Sequence, residues 1–221
     1  SDAIEEIIDI NGYELYEEWK EKINAIYTNQ IKNIKDKQNY EIIESEGYSN
    51  IHPKWSPDGK KIAFLSDKNN DYFGKSDLFI YNIEDSLSEK IKSGIRTSVT
   101  WVNDSLIVYA KRSDPNKDGS IFFNLYKYDL IEEEEEQLTE DSRLVSPLYH
   151  KETNQIFSIN TYDGTSNIVS GELSDSIDFK QITNFDNGIH IFTLSINEDM
   201  IVFDAVLNHE RDFYYINIKN N

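Results

Sequence analysis

The hydrophobic pattern changes period once along the chain. Between residues 3 and 35, Ile4, Ile7, Ile8, Tyr13, Leu15, Trp19, Ile23, Ile26, Tyr27, Ile31 and Ile34 recur mostly at three- or four-residue steps, the spacing of one helix face. Asn11-Gly12 interrupts this pattern and predicts two helices rather than one. Glu14, Glu17 and Glu18 precede Lys20 and Lys22, the order the helix dipole favours. From Tyr40 onward the period becomes two. Runs of β-branched and aromatic residues alternate with Asp, Asn, Gly and Ser clusters, the mark of short strands joined by polar turns. The expected organisation is a helical segment over 1–38 and an all-β region over 39–221. The helical segment admits three readings: a cap, a linker, or the tail of an upstream domain.

The β region repeats. His52–Ser66 contains Trp55-Ser56-Pro57-Asp58-Gly59-Lys60 followed by Ile62-Ala63-Phe64-Leu65; Ser98–Ala110 is its second copy, led by Trp101. Ser146–His150 with Gln155–Ile159 is the third, and Ile191–Ser195 with Met200–Asp204 the fourth. The leading positions are Trp55, Trp101, Tyr149 and Leu194, spaced by 46, 48 and 45 residues. Each copy continues with a third strand, at Asp77–Ile83, Asn124–Leu130, Asn167–Leu173 and Asp212–Ile218. A fourth strand follows three of them, at Glu89–Lys92, Glu136–Thr139 and Lys180–Thr183. Tyr40–Glu44 stands where a fourth strand would precede the first copy, and it is expected either there or closing the last one. Four-stranded units at this spacing are β-propeller blades, because an isolated meander buries too little surface and must stack on its neighbours. The predicted fold is a β-propeller of four visible four-stranded blades preceded by a short α-helical segment.

The run Pro53-x-Trp55-Ser56-Pro57-Asp58-Gly59-Lys60-x-Ile62-Ala63-Phe64, with Asp77-Leu78-Phe79 and a Leu-Thr type fourth strand, resembles the TolB-like propeller repeat. The same repeat is found in the propellers of prolyl-oligopeptidase and tricorn-type proteases. The resemblance covers residues 40–221, most closely in the first unit. It implies an extracytoplasmic bacterial setting, periplasmic or secreted, and a ring larger than four blades, so that a cut after Asn221 is expected. Gly12–Lys20 followed by such a propeller also resembles the junction in large secreted bacterial proteins that carry a gluzincin-type zinc peptidase domain upstream. On that resemblance, residues 1–38 are the last helices of a peptidase-like region whose active site lies outside the chain.

Composition narrows the function. The 221 residues carry 22 basic and 41 acidic side chains, a net charge of −19. Such a surface repels phosphate backbones and anionic lipid surfaces, so no nucleic-acid partner is expected, and no stretch approaches 18 consecutive apolar residues, so no membrane insertion is expected either. The chain has no cysteine, which removes disulfides, thiolate metal sites and cysteine nucleophiles. It opens Ser-Asp-Ala without a leader, as a processed or cut chain would. The acidic run Glu132–Glu136 reads as a solvated connection rather than as a docking patch for a basic partner.

Catalytic motifs are largely missing. Gly74-Lys75-Ser76 and Gly164-Thr165-Ser166 lack the second glycine of a nucleophile elbow. His209-Glu210 is followed by Arg211-Asp212 instead of the second histidine of a zincin. His52 and His150 occupy near-equivalent places and read as ordinary blade residues rather than metal ligands. Asp114, Asn116 and Asp118, followed by Gly119, place oxygen side chains at alternate positions, the arrangement that converges ligands on Ca2+. Leu125 stands where an EF-hand would need its glutamate, so the rival reading is a polar hairpin with a type I′ Asp-Gly turn. Asp67, Asn69 and Asp71 form a weaker version in the first unit. The expectation is a non-catalytic binding module for protein or peptide, with Ca2+ as candidate cofactor. The alternative is an accessory, substrate-gating propeller of a protease whose catalytic domain lies elsewhere; a stand-alone propeller enzyme is the third choice.

Overall fold

The computed structural model describes residues 7, 9–34, 40–71 and 74–218. The chain divides into two compact units, Ser1–Ile42 and Ile43–Asn221.

In the first unit, α1 spans Gly12–Ile31. Asn11 caps it, its side-chain oxygen accepting the Tyr13 N–H at 2.9 Å. Asn11-Gly12 is thus a helix start. The shorter helix expected before it falls mainly outside the described residues. Side chains three residues apart meet along α1: Tyr16 and Trp19 rings lie 5.8 Å apart, and Lys20 pairs with Glu17 at 3.5 Å.

The second unit is a β-propeller of four antiparallel blades. Blade 1 holds β1 (Asn50–Trp55), β2 (Lys61–Ser66), β3 (Asp77–Asn82) and β4 (Leu87–Ser93). Blade 2 holds β5 (Thr100–Trp101), β6 (Leu106–Arg112), β7 (Phe123–Asp129) and β8 (Glu134–Gln137). Blade 3 holds β9 (Leu144–His150), β10 (Gln155–Asn160), β11 (Asn167–Glu172) and β12 (Lys180–Gln181). Blade 4 is three-stranded, with β13 (His190–Asn197), β14 (Met200–Leu207) and β15 (Glu210–Asn217). The inner strands β1, β5, β9 and β13 neighbour one another in order. Tyr40–Glu44 forms no strand; Glu44 is instead drawn into a side-chain ion pair described below.

Successive blades bury an apolar face of one against the aromatic-led face of the next. Ala63, Leu65, Leu78 and Ile80 of blade 1 pack with Trp101, Ile107, Tyr109, Tyr126 and Tyr128 of blade 2. Val108, Ala110 and Leu125 of blade 2 pack with Ile156 and Val169 of blade 3, and Phe157, Ile159 and Ile168 with Ile201 and Phe203 of blade 4. Strand alternation makes this possible, since odd and even positions face opposite neighbours. The leading residue also ties blades through polar atoms: the Trp101 indole N–H donates to Lys54 O at 3.0 Å. Tyr149 N donates to Thr100 Oγ1 at 3.0 Å, and Ser146 Oγ to Phe192 O at 3.3 Å. The inner strands β1, β9 and β13 are bulged. His52 and Ser146, each three residues before a leading aromatic, take left-handed φ of 56° and 52° there.

The Pro57-Asp58-Gly59 hairpin forms as its residues dictate. Gly59 N donates to Ser56 O at 2.9 Å, with Gly59 at φ +70°.

Candidate functional site

The blades have two unlike ends. At one end lie the β2–β3, β6–β7, β10–β11 and β14–β15 loops together with the linkers that enter each inner strand. All four arginines of the chain stand there: Arg96 in the β4–β5 linker, Arg112 closing β6, Arg143 before β9, and Arg211 opening β15. The opposite end carries the hairpin turns, including Glu132 and Glu133, and the run Glu132–Glu136 extends from there into β8.

Three of these guanidinium groups lie over aromatic rings. Arg112 sits 5.5 Å from the Phe123 ring centre. Arg143 lies between Phe122 at 4.9 Å and Tyr162 at 5.3 Å, and its Nη1 donates to Tyr162 O at 3.3 Å. Arg211 lies 4.3 Å from Phe192 and is neutralised by Asp204, which also accepts the Thr193 hydroxyl. Arg112 and Arg143 make no salt bridge among the described residues, although acidic groups outnumber basic ones almost two to one. A guanidinium held flat on a ring keeps its N–H fork free for a carboxylate or phosphate.

Tyr162 also lines a cleft of ≈ 720 Å³ between blades 2 and 3, shared with Gln137, Thr139, Asp141, Ser142 and Phe179. Its floor is a fixed hydrogen-bond chain. Ser142 N donates to Asn124 Oδ1 at 3.0 Å, and the Ser142 and Thr139 hydroxyls are 2.8 Å apart.

The loop carrying Asp114, Asn116 and Asp118 borders the same end. Asn116 Oδ1 accepts the N–H groups of Asp118 and Ser120 at 3.0 and 2.9 Å, and its Nδ2 reaches Asp141 at 3.4 Å. The side-chain oxygen offered to Ca2+ by the sequence is engaged by the loop's own backbone. Gly119 N donates to Asn116 O at 2.8 Å, and Gly119 alone of the loop takes a positive φ, +75°. The turn is therefore type I followed by a left-handed glycine, not type I′, which needs positive φ at both central residues. In the first blade, Asp67 Oδ1 accepts Tyr48 N and Ser49 N at 2.8 and 3.0 Å. No group of three His, Asp or Glu side chains suited to a metal occurs among the described residues. His150 is tied within its own turn, Nδ1 to Thr153 Oγ1 at 2.9 Å.

The strongest pKa shifts belong to closed side-chain clusters in blade 2 and beside blade 1. Burial and the bond to Glu135 push the Tyr109 phenol far up. Burial works to raise Glu135 as well, but hydrogen bonds from Lys111, at 2.6 Å, and from Tyr109 hold it below the usual carboxylate range. In blade 1, burial opposes ionisation of Glu44, yet Lys68 Nζ at 2.5 Å and Ser88 Oγ at 2.7 Å bring it down to about 2. Lys68 and Lys111 lie over equivalent rings, 4.6 Å from Phe79 and 4.3 Å from Tyr126.

Sequence reasoning did not single out Arg112, Phe122, Arg143 or Tyr162. The signal was present: once the repeat is mapped, every arginine falls at the same end of its unit.

Fold and register define a propeller of the TolB-like kind. Among solved structures, TolB from Acinetobacter baumannii is similar over 85% of this chain and 45% of its own length, with 17% identity and a TM-score of 0.64. A candidate TolB from Agrobacterium tumefaciens is similar over 78% and 64%, with 17% identity and a TM-score of 0.62. Oligogalacturonate lyase from Vibrio parahaemolyticus follows at 80% and 52%, 14% identity and a TM-score of 0.55. The chain thus spans less than two thirds of each of these structures. No protein-family model matches the sequence, and no curated protein does.

Proposed function

We propose that this chain is a non-catalytic binding propeller that takes a carboxylate-bearing peptide or protein segment at its arginine end, between blades 2 and 3. The observation that carries the reading is Arg143, placed between Phe122 and Tyr162 and making no salt bridge among the described residues, although Glu140, Asp141 and Asp175 line the cleft beside it. Aromatic rings supply contact area, and the guanidinium fork supplies charge-assisted bonds. The two groups with the largest shifts, Tyr109 and Glu44, and the Glu135 carboxylate that Tyr109 donates to, are closed in side-chain hydrogen bonds, which favours a structural role for them over acid–base work. The TolB-like fold supports an extracytoplasmic setting.

The test is a pull-down from a random peptide library followed by titration of the enriched peptides. Acidic peptides are expected to be enriched, with Arg143→Ala weakening their binding about tenfold, the worth of one charge-assisted bond. Affinity should fall as salt rises. Enrichment of apolar or basic peptides, or unchanged binding in Arg143→Ala, overturns the proposal.

A further inference from the structure

Blade 3 departs from blades 1 and 2 at two places that fit each other. The third and fourth strands are joined by four residues in blade 1 (83–86) and in blade 2 (130–133), but by seven in blade 3 (173–179). Opposite the equivalent isoleucines Ile62, Ile107 and Ile156, the third strands carry Tyr81, Tyr128 and Gly171. Glycine stands in blade 3 because the longer loop folds back over its own strand. A Cβ on Gly171 would run into the Ile177 side chain and lie 2.9 Å from Asp178 O, nearer than van der Waals contact permits. Ile177 fills the place of the tyrosine ring, and with Phe179 it packs on the core between blades 2 and 3.

The loop is also tied to blade 2. Lys127 Nζ, on β7, meets Asp175 Oδ1 at 3.0 Å and Glu136 Oε2 at 2.9 Å. The ammonium bridges the two blades and offsets carboxylates that would otherwise repel an anionic ligand. So placed, Asp175, Ser176, Ile177 and Phe179 form one wall of the blade 2–blade 3 cleft, which Tyr162 also lines. Ile177 and Phe179 are half-buried, so part of each apolar side chain remains open to the cleft.

We propose that the 173–179 loop is the specificity-determining wall of this cleft, and that the ligand carries an apolar side chain, seated on Ile177 and Phe179, beside the carboxylate taken by Arg143. The inference rests on the reading above and narrows it from acidic segments in general to acidic segments with an apolar neighbour. A loop that had only to join two strands could be a four-residue turn with tyrosine behind it, as in blades 1 and 2.

The test titrates the 221-residue protein with three capped pentapeptides, Gly-Leu-Glu-Leu-Gly, Gly-Ser-Glu-Ser-Gly and Gly-Leu-Gln-Leu-Gly. The first is expected to bind about tenfold tighter than the second, the worth of one largely buried leucine side chain. The third measures the carboxylate. Two variants locate the leucine preference. One replaces 173–179 by the blade 1 turn, Ile83–Ser86, together with Gly171→Tyr; the other is Ile177→Ser. Each should remove most of that preference and keep the preference for glutamate over glutamine, which belongs to Arg143. Equal binding of the leucine and serine peptides to wild type overturns this inference and leaves the Arg143 reading standing. A leucine preference that persists unchanged in both variants overturns it as well. No discrimination between glutamate and glutamine, or no binding at millimolar peptide, removes the Arg143 reading and this inference with it.

Discussion

Trp55 and Trp101 are the same residue at the same place in consecutive blades, yet one is 60% exposed and the other 8%. Each pairs across its hairpin with an isoleucine-type position, Ile62 and Ile107. The difference lies in what stands in front. Trp101 fills the space between blades 1 and 2 and donates to Lys54 O, whereas Trp55 opens the first blade. Local sequence sets the strand and its register, while burial is granted by the neighbouring blade. The two fronts also solve one electrostatic problem differently. Blade 2 neutralises Lys111 with Glu135 from its own outer strand. In blade 1 the equivalent residue, opposite Tyr81 as Glu135 is opposite Tyr128, is Ser88, and the carboxylate comes from Glu44, ahead of the first strand.

The sharpest break of this pairing is truncation of the two tryptophans. Trp101→Ala should cost about 3–5 kcal/mol in urea unfolding, and Trp55→Ala less than about 1 kcal/mol. Equal losses would mean that the blade 1 front is packed as tightly as the blade 2 front.

Next comes Glu44→Gln, expected to cost about 2 kcal/mol at neutral pH, because it leaves the Lys68 ammonium, only 7% exposed, short of its counter-charge. The folded pKa of Glu44 is depressed, so its contribution is full above the ordinary value of 4.5 and is lost as pH falls toward about 2. Wild type should therefore lose stability across that window, followed by thermal unfolding, and Glu44→Gln should show a flatter profile there. Parallel profiles would show that another carboxylate governs the acid limb.

A smaller effect than that of Glu44→Gln is expected from Tyr109→Phe. Blade 1 already carries Phe64 at this position, beside Phe79 where blade 2 has Tyr126. Loss of the hydroxyl should cost about 1 kcal/mol, since Glu135 keeps Lys111. A much larger loss would make the phenol, not the ammonium, the principal partner of the carboxylate.

Much of the architecture was readable before any coordinates. The leading residues, the Pro57-Asp58-Gly59 turn and the alternating strands set the four visible blades and their order, because these signals are local and repeated. Tyr40–Glu44 departs from the expectation for the same reason: its short β-branched run Ile42-Ile43 beside Tyr40 looks like a strand, but Glu44 is held by side-chain bonds to Lys68 and Ser88, residues 24 and 44 positions away. The Asp114–Gly119 loop showed its oxygens but not their direction, and Asn116 turns its oxygen onto the loop backbone. The arginine end was legible in principle, yet only when positions are compared across units rather than along the chain.

The reach of Glu44 into blade 1 decides where the propeller can be cut free. A recombinant fragment starting at Asn50, the first residue of the first strand, would keep every strand and still strand a buried ammonium with the Ser88 hydroxyl and the Phe79 ring beside it but no carboxylate from Glu44 or Glu46. The functional start of the domain is thus set by one counter-ion rather than by the edge of the sheet, and an expression boundary drawn upstream of residue 44 is the one that should yield a well-behaved protein.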